Sequence, residues 1–110
     1  MRIATRTLEL LTPQGRVELP IHIHLPEDKD GSWGCRFEIG WPGGARTKTA
    51  WGADSVQAII LALQMIGTDL YTSGYHKAGE LSSAEANGGY GFPVPANLRD
   101  QLVGDDAKYL

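Results

Sequence analysis

Apolar and polar residues alternate along several segments in the first half of the chain. In the segment 16–25, every second residue from position 17 onward is apolar: Val17, Leu19, Ile21, Ile23 and Leu25. A period of two predicts a strand with one buried face. Strands are predicted on the same basis over residues 2–11, 33–41 and 45–51. Because short, turn-like connections separate these segments, we expect a four-stranded antiparallel meander.

A helical period replaces the alternation after residue 52. Asp54 has the character of an N-cap, and Gln57 three residues later completes the spacing of a capping box. Apolar residues then recur at helical spacing: Val56, Ile59, Ile60, Leu63, Ile66, Gly67 and Leu70. The sequence predicts one long helix over residues 54–73, which buries this stripe against the apolar face of the sheet.

A second group of apolar residues falls on the side of the helix away from this stripe: Ala58, Leu61, Ala62 and Met65. A helix that is apolar on two sides needs a second cover. Either the C-terminal third of the chain or another molecule can supply it. We therefore take Leu61 and Met65 as candidate interaction residues, and a two-fold homodimer as the simplest form of self-association.

The C-terminal third, residues 74–110, has no clear period. Residues 75–91 are rich in glycine, serine and alanine, which is typical of a loop. Pro95 is placed to open a short helix over about 96–103, and residues 104–110 are expected to fray. The predicted fold is α+β, one domain over residues 1–110: a four-stranded antiparallel sheet, one long helix on one face, and a loop-rich tail.

Composition narrows the function only slightly. The 110 residues carry a net charge of −3, and Lys and Arg are scattered, so nucleic acid is an improbable partner. The one cysteine, Cys35, cannot form an internal disulfide and favours a reducing compartment. The longest apolar run, 58–63, is too short to span a bilayer. We therefore expect a cytoplasmic protein without a membrane segment.

Few residues suggest chemistry. His22 and His24 share the outward face of one strand, about 6.5–7 Å apart. With a third ligand from Glu38, His76 or Glu80, they would form a metal site, although two ordinary solvent-facing histidines explain the pattern more simply. Cys35 points inward among aromatic residues, which is unsuitable for a nucleophile. The sequence predicts no catalytic residue and no cofactor.

Aromatic residues form the other candidate site. Six of them fall near predicted strand ends, at the end of the long helix or in the loop after it: Trp41, Trp51, Tyr71, Tyr75, His76 and Tyr90. Such residues line ligand pockets and interface hot spots, so together they are predicted to form a shallow binding pocket. The alternative interpretation is that they close the ends of the core.

The stretch 52–63 reads Gly-Ala-Asp-Ser-Val-Gln-Ala-Ile-Ile-Leu-Ala-Leu. This helix start, after a Trp-containing strand meander, resembles small bacterial proteins of an uncharacterised domain family. That family has no established activity, so the resemblance implies no catalytic residues. The order of elements is also similar to small acidic immunity proteins of bacterial toxin systems, which bind one toxin. Fold-level similarity of this kind does not fix function.

Three functional hypotheses follow from these patterns. The leading one is a non-enzymatic protein-interaction module, either immunity-type or accessory. The second is a small-molecule or metal-binding domain, with or without enzymatic activity, that uses the face with His22 and His24 and the loop containing tyrosine and histidine. The third is a nucleic-acid-binding sheet, which would require salt-dependent binding.

Overall fold

The computed structural model describes residues 1–83 and 88–110 and has an α+β fold. Six strands form an antiparallel sheet: β1 (Arg2–Thr12), β2 (Gly15–His24), β3 (Glu27–Lys29), β4 (Ser32–Ile39), β5 (Arg46–Gly52) and β6 (Leu81–Ser82). The helical segments are α1 (Ser55–Tyr71), α2 (Gly74–Lys77), a 3-10 helix (Ala96–Gln101) and α3 (Gly104–Tyr109). The predicted fold class, an antiparallel sheet with one long helix, is confirmed.

The sheet is larger than the four strands that the sequence predicts. Strand β3 pairs with the first residues of β4, from Glu27 opposite Gly34 to Lys29 opposite Ser32. Strand β6 contributes two residues, which pair with Glu9 and Leu10 of β1. Neither strand is long enough to show an alternating pattern, and β3 is entirely charged. Their partners define them, and the local sequence does not.

The four main strands pair in chain order, as a meander does. A long hairpin joins β1 to β2 and extends from Arg2 opposite His24 to Thr12 opposite Gly15. Strand β4 follows β2, and β5 pairs along the other edge of β4. Trp33 of β4 pairs with β3 on one side and with β5 on the other. Strands β2 and β3 therefore both pair with the edge of β4 that lies opposite β5.

The helix α1 lies on the apolar face of the sheet, but it is rotated relative to the prediction. Four residues of α1, one turn apart, are fully buried: Ala58, Ala62, Ile66 and Leu70. Val56 and Ile60, assigned to the buried stripe, are 64 % and 48 % exposed. Two alanines on the buried face let the helix approach the sheet closely. A Cβ added to Gly52 of β5 would lie 2.6 Å from the backbone nitrogen of Ala58.

The cap of α1 forms as the sequence predicts. Asp54 is the N-cap, and its Oδ1 accepts a hydrogen bond from the Gln57 backbone nitrogen at 2.7 Å. The Gln57 side chain reaches back to accept a hydrogen bond from the backbone nitrogen of Ala53 at 2.6 Å.

None of the described helices is long and apolar enough to cross a membrane.

The C-terminal tail packs on the remaining part of the apolar face. Tyr90, Phe92 and Val94 are buried in the core, and Pro93 touches the helix at Gly67. The short helix predicted over about 96–103 is a 3-10 helix that ends at Gln101. The residues after Gly104, expected to fray, form α3 instead, because the buried side chain of Asp106 anchors them.

Candidate functional site

The six predicted aromatic site residues separate into three places. Trp41 and Tyr75 stack with ring centroids 5.4 Å apart and planes 14° from parallel. Tyr71, His76 and Tyr90 form a second cluster. Trp51 lies apart from both, on the face of the sheet opposite α1, where it is 53 % exposed and contacts Gly34.

The second cluster joins α1, α2 and the tail. The Tyr71 ring lies 4.9 Å from both the His76 and the Tyr90 rings, measured between centroids. The Tyr90 hydroxyl and His76 Nδ1 also form a short hydrogen bond. Tyr71 and Tyr90 are buried and His76 is half-buried, so these rings close one end of the core.

A buried carboxylate holds this cluster in place. Asp106 of α3 is 3 % exposed and accepts hydrogen bonds from the Tyr71 hydroxyl at 2.5 Å and the Tyr90 backbone nitrogen at 2.7 Å. The Gly91 backbone nitrogen donates to its other oxygen at 2.8 Å. Sequence reasoning missed Asp106, because its partners lie 15 to 35 residues away and no local pattern marks it.

Burial sets the ionisation of these rings. It raises the pKa of Tyr90 to about 12, with a further contribution from the nearby charge of Asp106. Burial and the hydrogen bond to Asp106 also raise the pKa of Tyr71. Burial lowers the pKa of His76. At neutral pH both tyrosines therefore keep their protons and His76 is neutral, so the three rings form an uncharged hydrogen-bonded cluster.

Arg6 connects the hairpin to this network. Its Nη1 donates to the carbonyl oxygens of Tyr90 at 3.2 Å and Gly91 at 2.7 Å, and its guanidinium lies 5.2 Å from the centre of the Phe92 ring. Gly91 has φ of +79°, and a Cβ there would collide with Arg6, so this contact requires glycine. Beside Arg6 and Asp106 lies a cavity of about 280 Å³.

The stacked pair opens onto a larger groove of about 480 Å³ between the turn after β4 and the end of α1. Trp41 and Tyr75 line it together with Arg46 and Asp69. Both oxygens of Asp69 bind Lys48 Nζ, at 3.0 and 2.9 Å. The sequence does not predict that Arg46 lies beside two aromatic rings, because that position depends on the pairing of β4 with β5.

The predicted metal residues are already engaged. Arg36 Nη2 donates to Nδ1 of the buried His24 at 3.2 Å, which leaves Nε2 to donate to Glu38 Oε1 at 3.0 Å. Nδ1 of His22 bonds the Thr5 hydroxyl at 2.9 Å.

The other suggested third ligands do not complete a metal site with His22 and His24. Among residues 1–83 and 88–110, no group of three or more His, Cys, Asp or Glu side chains is arranged to hold a metal ion. The ring of His76 is part of the Tyr71 and Tyr90 cluster. Cys35 is a buried free thiol whose pKa is raised by that burial, as expected for a core residue.

The candidate interaction residues Leu61 and Met65 are half-buried and pack against the core. The exposed apolar residues of α1 are Val56 and Ile60 instead. With Leu63 they follow one line along the helix at positions i, i+4 and i+7, and we call these three residues the α1 strip. Next to it, a groove of about 200 Å³ is lined mainly by apolar side chains: Ala4, Ile23, Leu63 and Phe92.

These features define a small α+β domain whose internal polar network anchors its own tail. The chain belongs to a family described as a domain of unknown function (DUF6968), whose profile matches residues 4–94. The predicted membership in an uncharacterised domain family is therefore confirmed. No curated protein and no solved structure matches the chain.

Proposed function

We propose that this chain is a non-enzymatic interaction module, of the immunity or accessory type, that binds another protein in the bacterial cytoplasm. The observation that supports it best is the α1 strip. Val56 and Ile60 are large, branched and exposed near the start of the main helix. Exposed apolar residues that adjoin one another mark interaction sites more often than scattered ones do.

The position of the tail explains why the strip is open. Pro93 lies against α1 at Gly67, on the same side of the helix as the strip, and seals that side there. The two exposed residues lie two to three turns upstream, beyond that contact. The groove beside Leu63 continues the apolar surface toward Ala4 and Ile23 of the hairpin. An apolar side chain of a partner fits between the helix and the hairpin.

The occupant that we propose is a different protein rather than a second copy of this chain. Obligate homodimers commonly bury 2,000 Å² or more of largely apolar surface, whereas the strip offers two exposed side chains and one small groove. The net charge of −3 also favours a basic partner, because opposite charges speed encounter. The buried free thiol of Cys35 is compatible with a reducing cytoplasm.

The test is a capture experiment with the tagged full-length chain and two variants. We expect Ile60→Asp to lose a stoichiometric partner that the unaltered chain retains, since a carboxylate in a desolvated contact is costly. Leu11→Asp is the matched control, because Leu11 is 50 % exposed on the hairpin, away from the strip. Thermal melts establish that both variants are folded.

Light scattering on the same samples separates this proposal from self-association. A monomer that captures one protein through Ile60 supports it. A dimer that Ile60→Asp dissociates, or a partner captured equally well by both variants, contradicts it.

A further inference from the structure

The groove between the turn after β4 and the end of α1 combines aromatic surface with a cation that has no partner among residues 1–83 and 88–110. Trp41 and Tyr75 are both half-buried and stack with their planes 14° apart. Both residues line the groove of about 480 Å³. Flat apolar surface of this kind favours stacking with another planar ring.

Arg46 supplies the charge. It is exposed in the same groove and forms no ion pair or hydrogen bond with any residue that the structure describes. The nearest carboxylate in the lining, Asp69, is held through both oxygens by Lys48. Arg46, Lys48 and Asp69 therefore leave this groove with one net positive charge, although the whole chain carries −3.

The aliphatic hydroxyls of the lining already donate to backbone carbonyls. Thr72 donates to the carbonyl of Thr68 at 2.6 Å, and Ser73 donates to the carbonyl of Leu70 at 2.7 Å. Ser73 also accepts from the backbone nitrogen of His76 at 3.1 Å. The lining therefore offers an anionic ligand ring surface, the Tyr75 hydroxyl and the guanidinium of Arg46, which suits carboxylate and phosphate oxygens.

We infer that the groove of Trp41, Tyr75 and Arg46 binds a small molecule with a flat aromatic ring and an anionic group. This site is separate from the α1 strip and does not rest on the proposed protein-binding function. The shared chemistry is a ring beside a carboxylate or a phosphate, and the two anions are distinguished by the probes.

The experiment uses phenylacetate and phenyl phosphate as probes, each added to the ¹⁵N-labelled full-length chain. The three tryptophans give three indole N–H signals in a proton–nitrogen spectrum, and Trp41→Phe assigns the one from the groove. We expect a saturable shift of the Trp41 signal with a dissociation constant in the millimolar range. The signal of Trp51, on the opposite face of the sheet, should not move.

Matched compounds and variants test each part of the inference. Phenylacetamide lacks the charge and cyclohexylacetate lacks the flat ring, so each should bind roughly tenfold more weakly than phenylacetate. Arg46→Gln should weaken the binding of phenylacetate by a similar factor, and Arg46→Lys should recover part of the lost affinity. Arg16→Gln, at the turn of the hairpin, should leave the affinity unchanged.

Binding of either anion that depends on the charge, the flat ring and Arg46 supports the inference. The anion that binds more tightly identifies the acid group that the groove prefers. The inference is overturned if neither anion gives a saturable shift of Trp41. It is equally overturned if phenylacetamide binds as tightly as phenylacetate, or if Arg46→Gln binds as tightly as the unaltered chain. Signals outside the groove that stay unchanged in Arg46→Gln show that the variant is folded.

Discussion

At the scale of single residues, Asp106 links the tail to α1. Its carboxylate accepts three hydrogen bonds, from Tyr71, Tyr90 and Gly91, while it is 3 % exposed. In Asp106→Asn, one oxygen becomes an amide that faces donors, so buried donors are left unsatisfied. We expect a loss of about 2–4 kcal/mol in the free energy of unfolding, measured by urea denaturation.

The neighbouring aspartate is the control for this prediction. Asp105 is half-buried in the same turn, and its replacement by asparagine should change the free energy of unfolding by less than about 0.5 kcal/mol. Equal losses in Asp105→Asn and Asp106→Asn would show that the charge of the turn matters and the network does not.

At the scale of elements, the contact between α1 and the tail depends on Gly67. A Cβ there would lie 1.9 Å from the carbonyl oxygen of Pro93, a backbone atom that cannot rotate away. Although alanine is the better helix former by about 1 kcal/mol, we expect Gly67→Ala to destabilise the chain by roughly 1–3 kcal/mol. Urea denaturation measures the loss, and faster proteolysis within the tail would show where it arises.

Gly74 provides the matched substitution. A Cβ at this position, the first residue of α2, meets no atom within 4 Å. Gly74→Ala should therefore be neutral or stabilise the fold by up to about 1 kcal/mol, because it restricts the unfolded chain. If Gly67→Ala proves equally harmless, the tail does not pack on the helix as closely as described.

The elements also show how far sequence patterns reach. Alternation predicts the main strands, and the pair Asp54 and Gln57 predicts the start of α1, because both signals are local. The buried side of α1 could not be predicted in the same way. Its apolar residues cover more than half of its circumference, and only the close approach of the sheet selects Ala58 and Ala62 over Val56 and Ile60.

The candidate site shows the same difference between local signals and contacts of distant segments. Trp41 and Tyr75 are recognisable from the sequence as possible ligand-binding residues, since aromatic residues near loops are informative by type alone. Their separation from Tyr71 and Tyr90, and the position of Arg46 beside them, depends on contacts between distant segments. No spacing in the chain encodes those contacts.

For the whole molecule, the cluster of Tyr71, His76 and Tyr90 predicts how stability depends on pH. Burial lowers the pKa of His76 below its ordinary value of about 6.5, so the unfolded chain binds the proton more tightly. The stabilising contribution is therefore complete above pH 6.5 and decreases as the pH falls. In His76→Gln, the free energy of unfolding should no longer show this decrease between pH 7 and pH 5.

Above pH 10 the dependence of stability on pH has the opposite sign and is larger. Burial raises the pKa of Tyr90 from about 10 to about 12, so above pH 10 the unfolded chain loses a proton that the folded chain retains. Stability should fall by about 2–3 kcal/mol between pH 10 and 12, with Tyr71 adding to the loss because its pKa is also raised. Tyr90→Phe should make this pH dependence less steep and leave the contribution of Tyr71, whereas Tyr109→Phe should leave it unchanged, since Tyr109 is 72 % exposed. An alkaline slope that is as steep in Tyr90→Phe as in the unaltered chain would mean that Tyr90 ionises as freely in the folded chain as in the unfolded one, and that the tail does not shield it.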